Sequence, residues 1–324
     1  MSIRADNPSL GQENAPGKKS SLADPISRRD RVSAKQVWSL ALIVVTAIWG
    51  WCFVAKQQSL QGMSASSLNT WIFIVGACCL GPFAIRKLVE LSGRDWMSGC
   101  LAGAILFVAF SFQTSGIGLT TPSNAGFITG FAVVFTPLLL FLLFKETPTF
   151  QQWIGGAVAL IGLALLSLND LSLHLGDALI LCCAVFFAAH IVALAKMPFS
   201  GTPICFSFVQ LVTVGVLSGG WSIASNELVA PMGGDAWLTM FVLAALGTAL
   251  AYFVQTKAQS VMSAQMVALI LLFEPIFSAL FGYALAGDRM TATNISGAIL
   301  IIAGMAFSEL GALLRRGRSA SSGS

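Results

Sequence analysis

The sequence predicts an all-α integral membrane protein, with ten transmembrane helices arranged as two inverted five-helix repeats. Three observations carry that reading: a composition with too little charge for a water-facing surface, ten apolar runs of membrane-spanning length, and residues that recur at one fixed spacing. Hydrophobic residues make up 56% of the 324-residue chain and charged residues 10%, against about 25% charged in an ordinary soluble domain. Of the 32 charged residues, eleven lie in 1–35 and four in 309–324, which leaves 17 for 36–308. A soluble enzyme, a nucleic-acid binder and a disordered scaffold are all excluded by that distribution.

Residues 1–35 are rich in Ser, Pro, Asn and charge and are predicted to be a disordered tail. No short apolar core with a small-residue cleavage site precedes the first long apolar run, so the first span doubles as an uncleaved signal anchor. A membrane helix needs about 20 mainly apolar residues. Runs of that kind fall at 37–55, 68–85, 98–117, 124–143, 151–168, 178–195, 203–223, 236–256, 263–285 and 292–311. Charged or turn-forming residues punctuate them, among them Arg86-Lys87, Lys145-Glu146, Asn169-Asp170 and Gly287-Asp288-Arg289. The first repeat covers 36–168 and the second 176–312, and 313–324 form a basic, unfolded tail. The alternation expected of barrel strands is missing. Seven cysteines without metal-type spacing read as small packing residues.

Lys and Arg set the orientation. With the N-terminus in the cytoplasm, 16 of the 18 fall on the inner side and only Lys56 and Arg289 outside. Both termini are therefore expected in the cytoplasm, with the protein in the inner or plasma membrane.

The repeat shows in five correspondences at a spacing of 142: Gln113-Thr114 with Gln255-Thr256, Glu146 with Asp288, Thr149 with Thr291, Gly155 with Gly297, and Gly162 with Gly304. Ala55-Lys56 recurs as Ala195-Lys196 at a spacing of 140. Because five spans is an odd number, the second copy enters the membrane from the opposite side. Inverted repeats supply two related conformations around a midplane site, which is the logic of a transporter.

The residues also resemble a known family, the drug/metabolite transporter superfamily in its ten-helix form with two EamA domains. The likeness is carried by Trp49-Gly50, by Gln113-Thr114 through Ser123-Asn124-Ala125-Gly126-Phe127-Ile128-Thr129-Gly130, and by Lys145-Glu146-x-x-Thr149 leading into Trp153-Ile154-Gly155. Leu271-Leu272-Phe273-Glu274-Pro275 followed by Gly287-Asp288-Arg289-Met290-Thr291 completes it. Asp288 stands where the family usually has Glu, and Trp71-Ile72 where many members place an Arg. The resemblance implies movement of small metabolites such as amino acids, amines, nucleosides or drug-like compounds, more often by export than by uptake.

Intramembrane polar residues mark the candidate site. Glu274 is the carboxylate midway along the ninth span; it is a candidate for substrate binding and for proton coupling, or else bonds backbone groups that Pro275 leaves unpaired. His190 is a candidate ligand contact or a satisfied packing residue. Gln113 and Gln255, as repeat mates near opposite faces, suit paired gates or interhelical hydrogen bonds. Trp49, Phe53 and Tyr252 offer an aromatic wall for an apolar or cationic ligand, although Trp49 also suits an interfacial belt. Asn124, in the family-like segment, completes the substrate-binding set. Glycines of the fifth and tenth spans suggest tight packing of those two helices, or a homodimer contact there.

No zinc-protease or serine-elbow motif is present, so no catalysis is expected. Neither a metal nor a cofactor is implied, and the partners expected are a small-molecule substrate and the lipid bilayer, with no nucleic acid. The alternative to a secondary transporter is a channel or receptor-like bundle without coupled transport.

Overall fold

The computed structural model describes residues 28–169, 172–262, 267 and 270–321, with side chains for 35–165, 174–262, 267 and 270–308. The first half of the chain forms α1 (Arg28–Ser59), α2 (Ala65–Leu88), α3 (Gly93–Ile117), α4 (Pro122–Thr129), α5 (Ala132–Phe144) and α6 (Phe150–Ser167). A two-residue antiparallel pairing of Leu168–Asn169 with Ser172–Leu173 links the halves. The second half forms α7 (Leu175–Lys196), α8 (Pro203–Ala224), α9 (Gly234–Ala244), α10 (Ala251–Val261), α11 (Phe273–Phe281) and α12 (Ala292–Ser321). Six π-helical residues, Ala245–Leu250, join α9 to α10, and a second π-turn, Gly282–Ala286, closes α11.

Local chemistry sets the helix starts. Ser64 caps α2 by accepting from the Ser67 N–H, and Ser92 and Asp95 form a reciprocal capping box on α3. Thr121 caps α4 with Pro122 in its first turn, and Pro203 opens α8. The helices also run past the apolar spans at both ends: α1 begins at Arg28 and α12 is described to Ser321, inside the stretches read as tails. Arg, Lys, Ala and Leu there are good helix formers once an adjoining span has nucleated the helix. Residues 1–27 and 322–324 lie outside the described residues.

Among the described residues seven helices are long and apolar enough to cross a membrane, counting Pro122–Phe144 and Gly234–Val261 as one each. Three shorter apolar helices accompany them at Phe150–Leu165, Phe273–Ala286 and Ala292–Ser308. Large apolar side chains such as Leu40, Phe83, Leu143, Ile161, Val216, Leu280 and Ile299 face outward, as suits a lipid-facing surface.

The run 124–143, read from sequence as one helix, is broken. α4 ends at Thr129, Gly130 and Phe131 form a turn, and α5 starts at Ala132. An equivalent break occurs 142 residues later, at Leu272 just before α11. The two broken segments cross closely. A Cβ on Gly126 would lie 2.1 Å from Ser278 Oγ, and one on Gly130 would lie 3.0 Å from Pro275 Cγ. Ser278 Oγ donates to the Pro122 carbonyl at 2.6 Å, tying α11 to the start of α4.

Around that crossing, α1 packs on α10 and α11, α7 packs on α3, α4 and α5, α2 pairs with α8, and α6 with α12. The last pair meets backbone to backbone: a Cβ on Gly155 would sit 2.3 Å from the Gly304 carbonyl oxygen, and one on Gly162 2.5 Å from that of Gly297. The glycine faces singled out for a dimer contact are thus occupied by one another within the chain.

Polar contacts gather at two ends of the bundle. At one, Gln57 donates to the Thr120 carbonyl, Thr120 to Asp177, Ser66 to Glu227, and Ser123 to Asp288. At the other, Ser200 donates to Asp95 through backbone and hydroxyl, Ser98 to the Pro198 carbonyl, and Lys196 pairs with Glu146. Each set joins only connections that alternating, antiparallel helices bring to the same end.

Candidate functional site

Between the broken segments lies a cavity. Its walls come from α1 (Trp49, Cys52, Phe53, Lys56), α3 (Phe110, Gln113) and the first break (Thr129, Gly130, Ala132, Val133). From the second half come α7 (Phe187, His190, Ile191), the α9–α10 helix (Leu243, Gly247, Thr248, Tyr252, Gln255) and the second break (Leu271, Glu274). Among the described residues, none of α2, α8, α6 or α12 lines it.

Seven of the eight residues singled out from sequence meet on this one cavity: Trp49, Phe53, Gln113, His190, Tyr252, Gln255 and Glu274. Asn124 does not. It sits half-buried in the first turn of α4, its backbone N–H held by Thr121 Oγ1 at 3.2 Å, because the capped start of α4 lies more than one turn before the break. Gln113 and Gln255 both line the cavity. Trp49 is not a belt residue: its indole N–H donates to the Gly247 carbonyl at 2.9 Å. That carbonyl belongs to the π-helical stretch, where the wider turn frees a backbone group.

The aromatic wall is larger than the three residues expected. Tyr252 packs against Trp49, Phe110 and His190 at centroid distances of 5.7, 6.2 and 6.1 Å, and Phe110 meets Phe187 edge-on at 5.3 Å. His190 is buried and paired, its Nε2 lying 2.6 Å from Gln210 Oε1. Its ring therefore forms part of the wall with one nitrogen already engaged.

The residue that sequence reasoning missed is Lys56. Counted as an outer-loop charge, it is instead 7% exposed and directed into the cavity. Its Nζ donates to Gln113 Oε1 at 3.0 Å and lies 4.3 Å from the Phe110 ring centroid, a cation–π contact. The apolar run stops at Ala55, but α1 continues to Ser59, so Lys56 is still on the helix one turn beyond Cys52 and Phe53. The available signal was its repeat mate Lys196, which sits at the end of α7 and not in a long loop.

Glu274 occupies the first turn of α11, where the helix dipole favours a negative charge. Among the described residues its carboxylate accepts no hydrogen bond, so the expected role of bonding backbone freed by Pro275 is not seen. The break at Leu272 comes before the proline, and Pro275 lies in the first turn, where it displaces no intrahelical donor. Lys56 and Glu274 both line the cavity, yet no ion pair joins them among the described residues. Gln255 is 4% exposed, and its side-chain oxygen has no partner among the described residues. Among the described residues the site therefore brings together Lys56, Glu274 and two side-chain oxygens without partners, those of Gln255 and Thr129, beside an aromatic wall.

Comparisons with known proteins point one way. The EamA-like transporter family matches residues 36–168 and again 174–310. The chain is 30% identical over 263 residues to an uncharacterized transporter of Archaeoglobus fulgidus, covering 81% of this chain and 82% of the relative. It is 25% identical over 227 residues to an S-adenosylmethionine uptake transporter of Rickettsia felis, covering 68% and 74%. Over 139 residues it is 30% identical to a probable terminal-alkyne amino-acid exporter of Streptantibioticus cattleyicolor, covering 41% and 45%. A solved crystal structure shares the fold with a TM-score of 0.63 at 19% identity, over 88% of this chain and 98% of that one.

Proposed function

The chain belongs to the EamA-like transporter family and is a multi-pass membrane transporter; from that premise we propose that it is a secondary transporter exporting a small metabolite across the cytoplasmic membrane by alternating access. Its ten spans would form two inverted repeats with both termini in the cytoplasm. The observation that carries this reading is the lining of the cavity. It uses the first, third and fourth spans of one repeat (α1, α3, α4–α5) and their counterparts in the other (α7, α9–α10, α11). Exchanging the repeats maps the packing pairs onto one another as well: α3–α7 onto α10–α1, and α4–α7 onto α11–α1, while α2–α8 and α6–α12 map onto themselves. Discontinuous helices meeting at a shared cavity are the device by which inverted-repeat transporters present backbone ends and polar groups to cargo.

Trp49, Phe53, Gln113, His190, Tyr252, Gln255 and Glu274 form the substrate site in this reading, and Glu274 is also the coupling group. Its repeat counterpart is Ala132, likewise in the first turn after a break, so one carboxylate serves both halves. A proton and a cationic group of the cargo would compete for it, and that competition links cargo movement to the proton gradient.

Two measurements test the proposal. Metabolite profiles of cells lacking and overproducing the protein should differ reciprocally in the cargo, which accumulates inside when the protein is missing. In proteoliposomes, Glu274→Gln should abolish gradient-driven accumulation yet still exchange labelled for unlabelled cargo at saturating concentration. Gradient-driven accumulation by the Gln variant at the normal level would remove Glu274 from coupling.

A further inference from the structure

We propose that Asp288 is a positioning residue for the transport cycle: it locks α4 to α11 at one end of the bundle, and its repeat mate Glu146 makes the equivalent lock at the other end when the first one opens. This deepens the transporter reading and rests on it. α4 and α11 meet at three successive levels. Beside the cavity, a Cβ on Gly130 would lie 3.0 Å from Pro275 Cγ, and one turn away from it Gly126 faces Ser278. At the end of the bundle, a Cβ on Gly282 would lie 2.4 Å from Ser123 Oγ and 2.5 Å from Asp288 Oδ2. A passage from the cavity to that end between α4 and α11 is closed while these contacts hold.

At the last level the lock is a helix cap borrowed from the other repeat. The first turn of a helix leaves N–H groups without intrahelical partners. In α4, Pro122 has no N–H, and that of Asn124 is taken by Thr121 Oγ1. Ser123 turns to the second half of the chain. Its N–H, at 3.0 Å, and its hydroxyl, at 2.5 Å, both donate to Asp288 Oδ2. Asp288 is 9% exposed, and it sits at the helix end where a negative charge is favoured. Gly287, with φ of 73°, reverses the chain after the π-turn, and the Asp288 N–H donates back to the Gly282 carbonyl at 3.1 Å. The carboxylate is therefore held in place from its own side.

Glu146, 142 residues earlier, stands differently. Its side chain is 48% exposed and pairs with Lys196. That end of the bundle has ties of its own, Ser200 to Asp95 among them, but these join α3 to the loop after α7 and do not use Glu146. Two acids that the repeat makes equivalent thus occupy unequal places, one a buried cap and the other half of a surface pair. In an inverted repeat such inequality marks one of two conformations, and exchanging the roles of the halves exchanges the places. An acid is needed at both positions because each is the cap in turn.

Hydrogen–deuterium exchange of the full-length protein in lipid nanodiscs, read by mass spectrometry over residues 120–128, tests this without any cargo. Opening of the lock exposes the first turn of α4 and lets those amides exchange. Asp288→Asn should speed their exchange about tenfold to a hundredfold, the range for hydrogen bonds to a charged group. Asp288→Glu keeps the charge and should stay close to the unsubstituted protein. Glu146→Gln should slow the same amides, because it weakens the competing conformation by more than the surface ion pair it gives up. A purely local structural role cannot produce that effect from the opposite end of the bundle.

Melting curves of each variant accompany these measurements. Gly282→Ala forces the lock apart with every charge in place, should also speed exchange at 120–128, and keeps the inference testable if Asp288→Asn does not fold. Unchanged exchange in folded Asp288→Asn or Gly282→Ala protein would overturn the lock. Unchanged or faster exchange in Glu146→Gln would overturn the alternation. If a metabolite from the cell profiles moves in proteoliposomes while exchange ignores these substitutions, the lock fails and the transporter reading stands. If exchange responds but no metabolite moves in a protein-dependent way, the transporter reading fails, and the part of Asp288 in a transport cycle fails with it.

Discussion

Gly126→Ala probes whether the crossing of the two broken segments holds the site together. The new methyl would lie 2.1 Å from Ser278 Oγ and 2.3 Å from Ser278 Cβ, where ordinary contact begins near 3.4 Å. Either α11 retreats from α4 by roughly 1 Å, or Ser278 leaves its rotamer and loses its 2.6 Å bond to the Pro122 carbonyl. Overpacking of this kind costs about 1–3 kcal/mol, and the lost hydrogen bond adds about 1 kcal/mol. The expected destabilisation is therefore about 2–4 kcal/mol. Glu274, one turn before Ser278 on the same helix, would shift with it.

The compensating change is Ser278→Gly, which removes both atoms that the methyl would strike. By itself it loses the hydrogen bond and places a glycine inside a helix, together about 2 kcal/mol. Combined with Gly126→Ala it should cost little more than alone, giving a favourable coupling of about 2–4 kcal/mol between the two sites. Thermal unfolding of the four proteins in detergent reads the stability cycle. Counterflow of the cargo identified by metabolite profiling reads the site. Strictly additive effects, or a Gly126→Ala protein that melts and transports like the unsubstituted one, would refute the close crossing.

Other expectations follow from single contacts. Gln113→Leu removes the oxygen that receives Lys56 and should destabilise the protein by about 1.5–3 kcal/mol in thermal unfolding. Lys196→Ala breaks an ion pair whose side chains are 34% and 48% exposed and should cost at most about 1 kcal/mol in the same assay. Reporter fusions after Ser324 and within 225–235 should register cytoplasmic and external locations respectively; the reverse result would overturn the inverted arrangement. A protein lacking residues 1–30 but keeping Arg31 and Lys35 should insert and transport nearly normally in vesicles, since that stretch holds too little apolar surface to pack on the bundle.

Much of this architecture was legible because lipid imposes a simple rule on sequence: backbone must be hydrogen-bonded internally and side chains facing the bilayer must be apolar. That rule exposes the apolar runs and their punctuation. The spacing of 142 exposes the relation of the halves, including which glycines of the fifth and tenth spans would touch. The break after Thr129 was invisible because Phe127, Ile128, Phe131 and Val133 are apolar on either side of it, so composition runs smoothly through a turn. Lys56 was misplaced for the opposite reason. Its charge ends an apolar run, yet its partner Gln113 is 57 residues away on another helix, a relation no periodicity encodes. Phe110 and Phe187 stood unmarked among 23 phenylalanines. Asn124 was drawn in by its neighbours in the family-like segment, while the lining of the cavity begins with Thr129 at the end of α4.

The seam between α6 and α12 has a consequence for how such a protein changes. Where carbonyl meets glycine with no side chain between, nothing compliant exists to absorb a displacement. The two helices must shift together or separate altogether. They act as one strut, and among the described residues that strut contributes none to the cavity wall. Substitutions at the strut should therefore act on assembly of the bundle, whereas those along α1, α3, α7 and α10 act on the shape of the cavity. The frame and the lining can thus be altered independently of one another.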